Sequence, residues 1–224
     1  MRNWPGWTRP ELRAAPRYAD RPAAGRVLAA GLAERTWHDP VVLGLVRGGV
    51  PVAHEIALAL DAELDIVVAR KIGAPGHEEL GVGAVTASGP AVYERATLDA
   101  LGLSVEGLAA ACARERAEAR RREQLYRGAR PAPSLAGRDA IVVDDGIATG
   151  VTARAALRAV RERAPRRVVL AVPVCAPEAE FDVELICPHR PPDFRAVGRW
   201  YTDFEQVTDD EVLALLGGRG GTGR

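Results

Sequence analysis

Two short runs, residues 41–46 and 140–143, are apolar at every position, and each ends in a glycine-bearing loop that opens into a helical pattern. A strand with no polar alternation is one covered on both faces, as in a parallel sheet packed between helix layers. Further strand patterns at 64–69 and 168–174 and helical patterns at 23–34, 52–60 and 152–163 complete an alternation of strand and helix. That order predicts an α/β protein with an open, mostly parallel sheet. Ligands bind such sheets beyond the C-terminal strand ends, where both glycine loops fall.

The loop after 140–143 reads Asp144-Asp145-Gly146-Ile147-Ala148-Thr149-Gly150-Val151-Thr152. Gly146 and Gly150 permit tight turns, Thr149 and Thr152 offer hydroxyls, and a helix starting near Thr152 aims backbone N–H groups at one point. An anion suits that point. The two carboxylates would repel a phosphate at close range, so they are expected to face hydrogen-bond donors such as vicinal hydroxyls. A ribose 5-phosphate has both halves. A turn with an ordinary helix cap is the simpler reading of the same triplet. A dinucleotide site lacks its G-x-G-x-x-G, a P-loop lacks Gly-Lys-Ser/Thr, and a haloacid-type phosphatase lacks Asp-x-Asp.

The loop after 41–46, Arg47-Gly48-Gly49-Val50-Pro51, pairs close backbone approach with a permanent positive charge. Diphosphate would suit it. The segment from Arg70-Lys71 to Gly83 contains four glycines, Pro75, and the trio His77, Glu78 and Glu79. At that glycine density a mobile lid over 71–83 is expected, with a surface hairpin as the competing reading.

These loops resemble those of the type I phosphoribosyltransferases. The resemblance spans about residues 25–90 and 138–175. It implies that Asp144 and Asp145 hold the ribose hydroxyls of 5-phosphoribosyl 1-diphosphate (PRPP) and, indirectly, a hydrated Mg2+. Gly146, Ala148, Thr149, Gly150, Val151 and Thr152 would cradle the 5-phosphate. Arg47, Gly48, Gly49 and Lys71 would hold the diphosphate, with a non-proline cis peptide expected at Val46-Arg47. Arg47, Lys71, Asp144 and Asp145 are thus the catalytic candidates, joined by Glu78, with Glu79 and His77, for acid-base help.

The resemblance also frames the rest of the chain as a single domain over 1–216 with a helical insertion at 91–131, a small C-terminal hood at 181–216 and a disordered tail at 217–224. The basic cluster Arg120 to Arg122, flanked by Glu115, Glu118 and Glu123, reads as a solvated helix face. Aromatic residues make up only 5% of the chain, so the concentration of Phe194, Trp200, Tyr201 and Phe204 in the hood singles it out. Tyr201 and Phe204 are the candidates for stacking on a base, and core packing is the other use of such rings.

Thirty basic and thirty acidic residues leave no net charge to draw nucleic acid or an anionic membrane. No run approaches the roughly 20 apolar residues that span a bilayer, and the first residues lack a signal-peptide pattern, so a cytoplasmic protein is expected. Cys112, Cys175 and Cys187 have neither disulfide-framework nor zinc spacing. The resemblance implies a Mg2+-dependent enzyme of nucleotide metabolism, a homo-oligomer, moving the phosphoribosyl group of PRPP to a nucleobase-like nitrogen. Ala148 stands where 6-oxopurine members carry an acid. Ala-Thr-Gly-x-Thr is closer to adenine- and uracil-type loops, and Arg70-Lys71 to orotate-type members. A PRPP-binding or regulatory protein without transfer is the alternative.

Overall fold

The structure is a computed structural model in which residues 17–217 are described, with the side chains of Glu78 and Glu79 excepted. The expected sheet is present. Five parallel strands, β1 (Val41–Leu45), β2 (Glu63–Val67), β6 (Asp139–Val143), β7 (Arg167–Ala171) and β8 (Glu184–Ile186), lie in the order β2-β1-β6-β7-β8.

Strand alternation sorts the apolar side chains into two layers. Val41, Leu43 and Leu45 of β1, with Ala140 and Val142 of β6, pack against Ala153, Ala156, Leu157 and Val160 of α5 (Val151–Arg161). Val42, Ile141 and Val143 face the other way, onto α1 (Arg21–Ala33) and α2 (Gly49–Ala59). The chain therefore leaves β1 through α2 toward β2 and leaves β6 through α5 toward β7. Strand order reverses between β1 and β6, and the reversal opens a crevice beyond their C-terminal ends. The last paired residues, Gly44 and Val143, sit side by side at its mouth.

At its other end β6 is anchored by Asp139, which is fully buried. Its carboxylate accepts from Arg166 at 2.9 and 2.7 Å, from Arg167 at 3.1 Å and from the His38 backbone N–H at 3.0 Å. Burial pushes this carboxyl up, but the bonds from Arg166 and His38 and the arginine charges outweigh it and hold the group below the usual carboxylate range. A depressed carboxyl stabilises the fold above the unfolded value and loses that contribution as pH falls through the folded one. Asp139→Ala is expected to cost about 2 kcal/mol at pH 7 in chemical denaturation. The gap to wild type should close at acid pH; a gap that widens there would refute the assignment.

The segment expected to be a lid, with a hairpin as the competing reading, forms a hairpin. β3 (Ala69–Ala74) and β4 (His77–Thr86) pair antiparallel, and β5 (Val92–Tyr93) extends them into a second, three-stranded sheet. Pro75 and Gly76, the latter at φ 76°, make the turn. Ile72, Val82 and Val85 are buried against Leu98 of α3 (Arg95–Leu101) and against Leu108, so one face of the hairpin is core and not a free loop.

The region expected to be a helical insertion contains α3, a 3-10 turn at Glu106–Leu108 and the long helix α4 (Ala109–Arg127). It is continuous with the main core. Ala119 and Tyr126 pack with Val50, Ile66 and Val68 and with Val212 and Leu216 of α6 (Asp209–Gly217). The basic cluster on α4 is only partly the solvated face expected. Arg121 and Arg122 pair with Glu118, whereas Arg120 reaches the Ala87 carbonyl at 3.0 Å and tethers the end of β4. No single helix among the described residues is long and apolar enough to cross a membrane. The tail expected to be disordered lies outside the described residues apart from Gly217, which closes α6.

Candidate functional site

Both glycine loops open into the crevice between β1 and β6. The Val46-Arg47 peptide is cis, as expected. Gly48 and Gly49 follow and start α2. A Cβ on Gly49 would overlap the Val143 carbonyl and lie 2.9 Å from Asp144 Cα, and one on Gly48 would overlap the Asp145 carboxylate. The two loops thus touch backbone to backbone, and only glycine allows it.

Beyond β6, Asp144 Oδ1 accepts from the Asp145 N–H at 2.9 Å. Ala148 and Thr149 are exposed, Thr152 is half-buried, and Gly150 takes a left-handed φ of 77° to launch α5 at Val151. The first turn of α5 leaves its N–H groups without intrahelical partners. Burial, reinforced by the charge of Asp145, pushes the Asp144 carboxyl well above its usual range. Asp145 is also raised by burial, with Arg21 pulling it back. Two carboxylates so placed favour a cation or a donor-rich ligand between them.

The cations fall in three places. Arg70 and Lys71 point to opposite sides of β3: Arg70 pairs with Glu115 of α4 at 3.0 Å, while Lys71 is exposed and its charge favours ionised Asp144. Arg47 lies 3.4 Å from Asp209, at the first residue of α6. Asp209 also accepts from the Tyr126 hydroxyl at 2.6 Å. Burial and that bond push the Tyr126 phenol up to about 12.

The third cation is one that sequence patterns miss. Arg21, in the first turn of α1, donates to Asp145 at 2.8 Å. Nothing local signals this, because the partners are 124 residues apart.

The structure therefore brings Arg47, Gly48, Gly49, Asp144, Asp145, Gly146 and the 148–152 loop to one crevice, with Lys71 at its edge. It does not present Tyr201 as a stacking surface. That ring is 3% exposed, packs on Tyr18 and Phe204, and donates its hydroxyl to the Asp145 carbonyl at 2.6 Å. Phe204 has one face covered by the Arg21 guanidinium, 3.9 Å from the ring centre. Both rings support the acidic loop in this state. The Glu78 side chain lies outside the described parts, so its assignment stays an expectation.

A Mg2+ ion prefers hard oxygen donors and keeps several waters. Among the described residues no three His, Cys, Asp or Glu side chains converge. Asp144 and Asp145 nevertheless fit the outer sphere of an ion whose direct ligands come largely from a bound phosphate compound, and the upward push on Asp144 marks a carboxylate that such a cation would relieve.

The sequence model of the phosphoribosyl transferase domain matches residues 17–188. Two Mycobacterium tuberculosis proteins provisionally named phosphoribosyl transferases, from strains CDC 1551 / Oshkosh and H37Rv, are each 42% identical over 204 residues, covering 89% of this chain. The chain spans 46% of the length of these curated relatives. The crystal structure of TT1426 from Thermus thermophilus is 45% identical, with a TM-score of 0.76 over 89% of this chain and 97% of that one. A hypothetical protein from Neisseria gonorrhoeae with bound ppGpp is 14% identical with a TM-score of 0.51 over 90% of this chain and 93% of that one, a likeness of fold alone. With paired glycine and acidic loops at the strand-order reversal, and a family match across most of its length, the chain belongs to the phosphoribosyl transferase domain family.

Proposed function

We propose that the protein transfers the 5-phosphoribosyl group of PRPP to a nitrogen acceptor of nucleobase type and releases diphosphate. One observation carries the reading most: the Gly48-Gly49 loop and the Asp144-Asp145 loop meet at the crevice between β1 and β6, so a sugar held by one reaches the anion site of the other. Asp144 and Asp145 would accept from the ribose hydroxyls. The 148–152 loop and the start of α5 would take the 5-phosphate on backbone N–H groups and the Thr149 and Thr152 hydroxyls. The bond from ribose C1 to the diphosphate oxygen breaks with its electron pair leaving on oxygen, and the acceptor nitrogen supplies the pair for the new bond. The protein's part is to position both reactants and to stabilise charge on the departing group. Backbone N–H groups near Gly48 and Gly49 and the Lys71 ammonium would serve that end. Mg2+, when bound with PRPP, neutralises part of the diphosphate charge.

The decisive experiment incubates the protein with PRPP, Mg2+ and a panel of bases and counts released diphosphate against a no-base control. Release that depends on one acceptor is expected. PRPP binding by calorimetry with no release for any acceptor would reject transfer and leave the binding-only alternative.

Lys71 supplies a sharper expectation. Its side chain is exposed on β3, so Lys71→Ala should leave the melting temperature nearly unchanged, within about 0.5 kcal/mol of stability. Turnover should fall roughly 100-fold, the usual scale for losing one group that stabilises developing negative charge. Full activity in the variant would remove Lys71 from the site.

A further inference from the structure

Arg21 is placed where a helix gives no reason for it. It occupies the first turn of α1, whose positive dipole end disfavours a cation and is already capped by the Asp20 carboxylate, which accepts from the Ala23 N–H at 2.7 Å. Its side chain is nonetheless 11% exposed and fixed three times over. Nε donates to Asp145 Oδ2 at 2.8 Å, Nη1 donates to the Glu205 carbonyl at 2.7 Å, and the guanidinium lies 3.9 Å over the Phe204 ring.

A simple clasp between the chain's two ends does not require this arginine. Backbone bonds already join them, from Tyr18 N–H to Trp200, from Thr202 N–H to Tyr18 and from Asp203 N–H to Ala19, at 2.8, 2.8 and 2.9 Å. Asp145 gains something specific from Arg21. The bond holds its carboxylate in the space that a side chain on residue 48 would fill, against the proposed diphosphate loop. Tyr201 fixes the same residue from behind through its carbonyl. Without Arg21, two adjacent carboxylates would face the crevice with no partner on the second, and an incoming anion would meet their full charge.

We propose that Arg21 is a positioning residue of the ligand site, clamping the Asp145 carboxylate against the Gly48 loop so that it can accept from the sugar of a phosphorylated ribose. The inference rests on the proposal that this crevice binds PRPP. It adds that affinity is set from outside the two loops, through a residue in α1 and the ring and carbonyl that seat it at 204 and 205.

Titration calorimetry of PRPP with Mg2+ into wild type, Arg21→Met, Asp145→Asn and the double variant tests this. Arg21→Met should weaken PRPP about 10-fold or more. If Arg21 acts through Asp145, the double variant should bind within about twofold of Asp145→Asn alone, because effects that pass through one contact are not additive. Unchanged affinity in Arg21→Met, or the same loss in both backgrounds, overturns the inference while wild-type binding keeps the reading of the site. A wild type that binds no PRPP overturns that reading and the inference with it. Should Arg21→Met not fold, Arg21→Lys decides. Lysine keeps the charge but loses the planar fork that sets Nε on Asp145 and Nη1 on the Glu205 carbonyl and that stacks on Phe204. A loss of about threefold that vanishes beside Asp145→Asn is expected, and no loss overturns the inference.

Discussion

Gly49→Ala is expected to destabilise the protein by about 3 kcal/mol or more, lowering the melting temperature by roughly 6 to 12 °C for a chain of this size. The added Cβ would overlap the Val143 carbonyl and stand 2.9 Å from Asp144 Cα, both backbone positions of a central strand and its loop. No side-chain rotation relieves such a clash. Either α2 withdraws from β6, opening the face where Val52, Ala53 and Ile56 pack, or the acidic loop is displaced. Both outcomes separate the two loops, so PRPP binding should be lost in whatever fraction remains folded. Gly107→Ala is the control. Its Cβ would meet nothing nearer than Ser104 Oγ at 3.4 Å, and its melting temperature should stay close to wild type. A Gly49→Ala protein that melts with wild type would mean that the loops do not touch as described.

Much of this architecture is legible because it rests on local pattern. Val41-Val42-Leu43 and Ile141-Val142-Val143 have no polar alternation, and burial on both faces is the physical meaning of that. The acidic pair and its small-residue loop are contiguous, so their meeting with α5 follows from chain order. The hairpin is harder to read, because Gly73, Gly81 and Gly83 suggest mobility. At Gly83 the missing side chain instead leaves room for the Val92 carbonyl and the Tyr93 ring of β5. The buried positions Ile72 and Val82 interleave with those glycines and pack with Val85, Leu98 and Leu108, while Ala84 packs on the other side with Val151 and Ala155 of α5.

Other features follow from contacts that no local signal encodes. Composition leaves Tyr201 open between base stacking and core packing, and the chain's own early segment covers it through Tyr18. Arg21 reaches Asp145, and Arg47 reaches Asp209 across 162 residues; pairings of this kind are set by tertiary placement alone. One missed element does carry a signature. Thr208 accepts from the Glu211 N–H at 3.2 Å, and Glu211 accepts from the Thr208 N–H at 2.7 Å, a capping box that starts α6. The strand β8 has only three residues, too short for periodicity to speak.

Asp144→Asn is expected to separate stability from function. The carboxyl is pushed well above its usual value of 3.8 by burial and by its neighbour's charge. For an acid whose folded value is raised, the folded state binds the proton more tightly than the unfolded chain does. Stability therefore falls as pH rises from about 3.8 through the folded value, and above it the ionised group opposes folding. Asparagine removes that opposition and still presents an oxygen to the Asp145 N–H, so the variant should melt at or above the wild-type temperature at pH 7. The difference should shrink in acid, where the wild-type carboxyl is already neutral. Ligand binding should move the other way. A charge-assisted hydrogen bond to the sugar is worth about 1.5 to 3 kcal/mol, so PRPP affinity should drop roughly 10- to 150-fold. Such a combination, a protein made firmer and a ligand lost, is the mark of a residue kept for chemistry against the interest of the fold. Lower stability at pH 7 together with undiminished PRPP affinity would assign Asp144 to structure and remove it from the site.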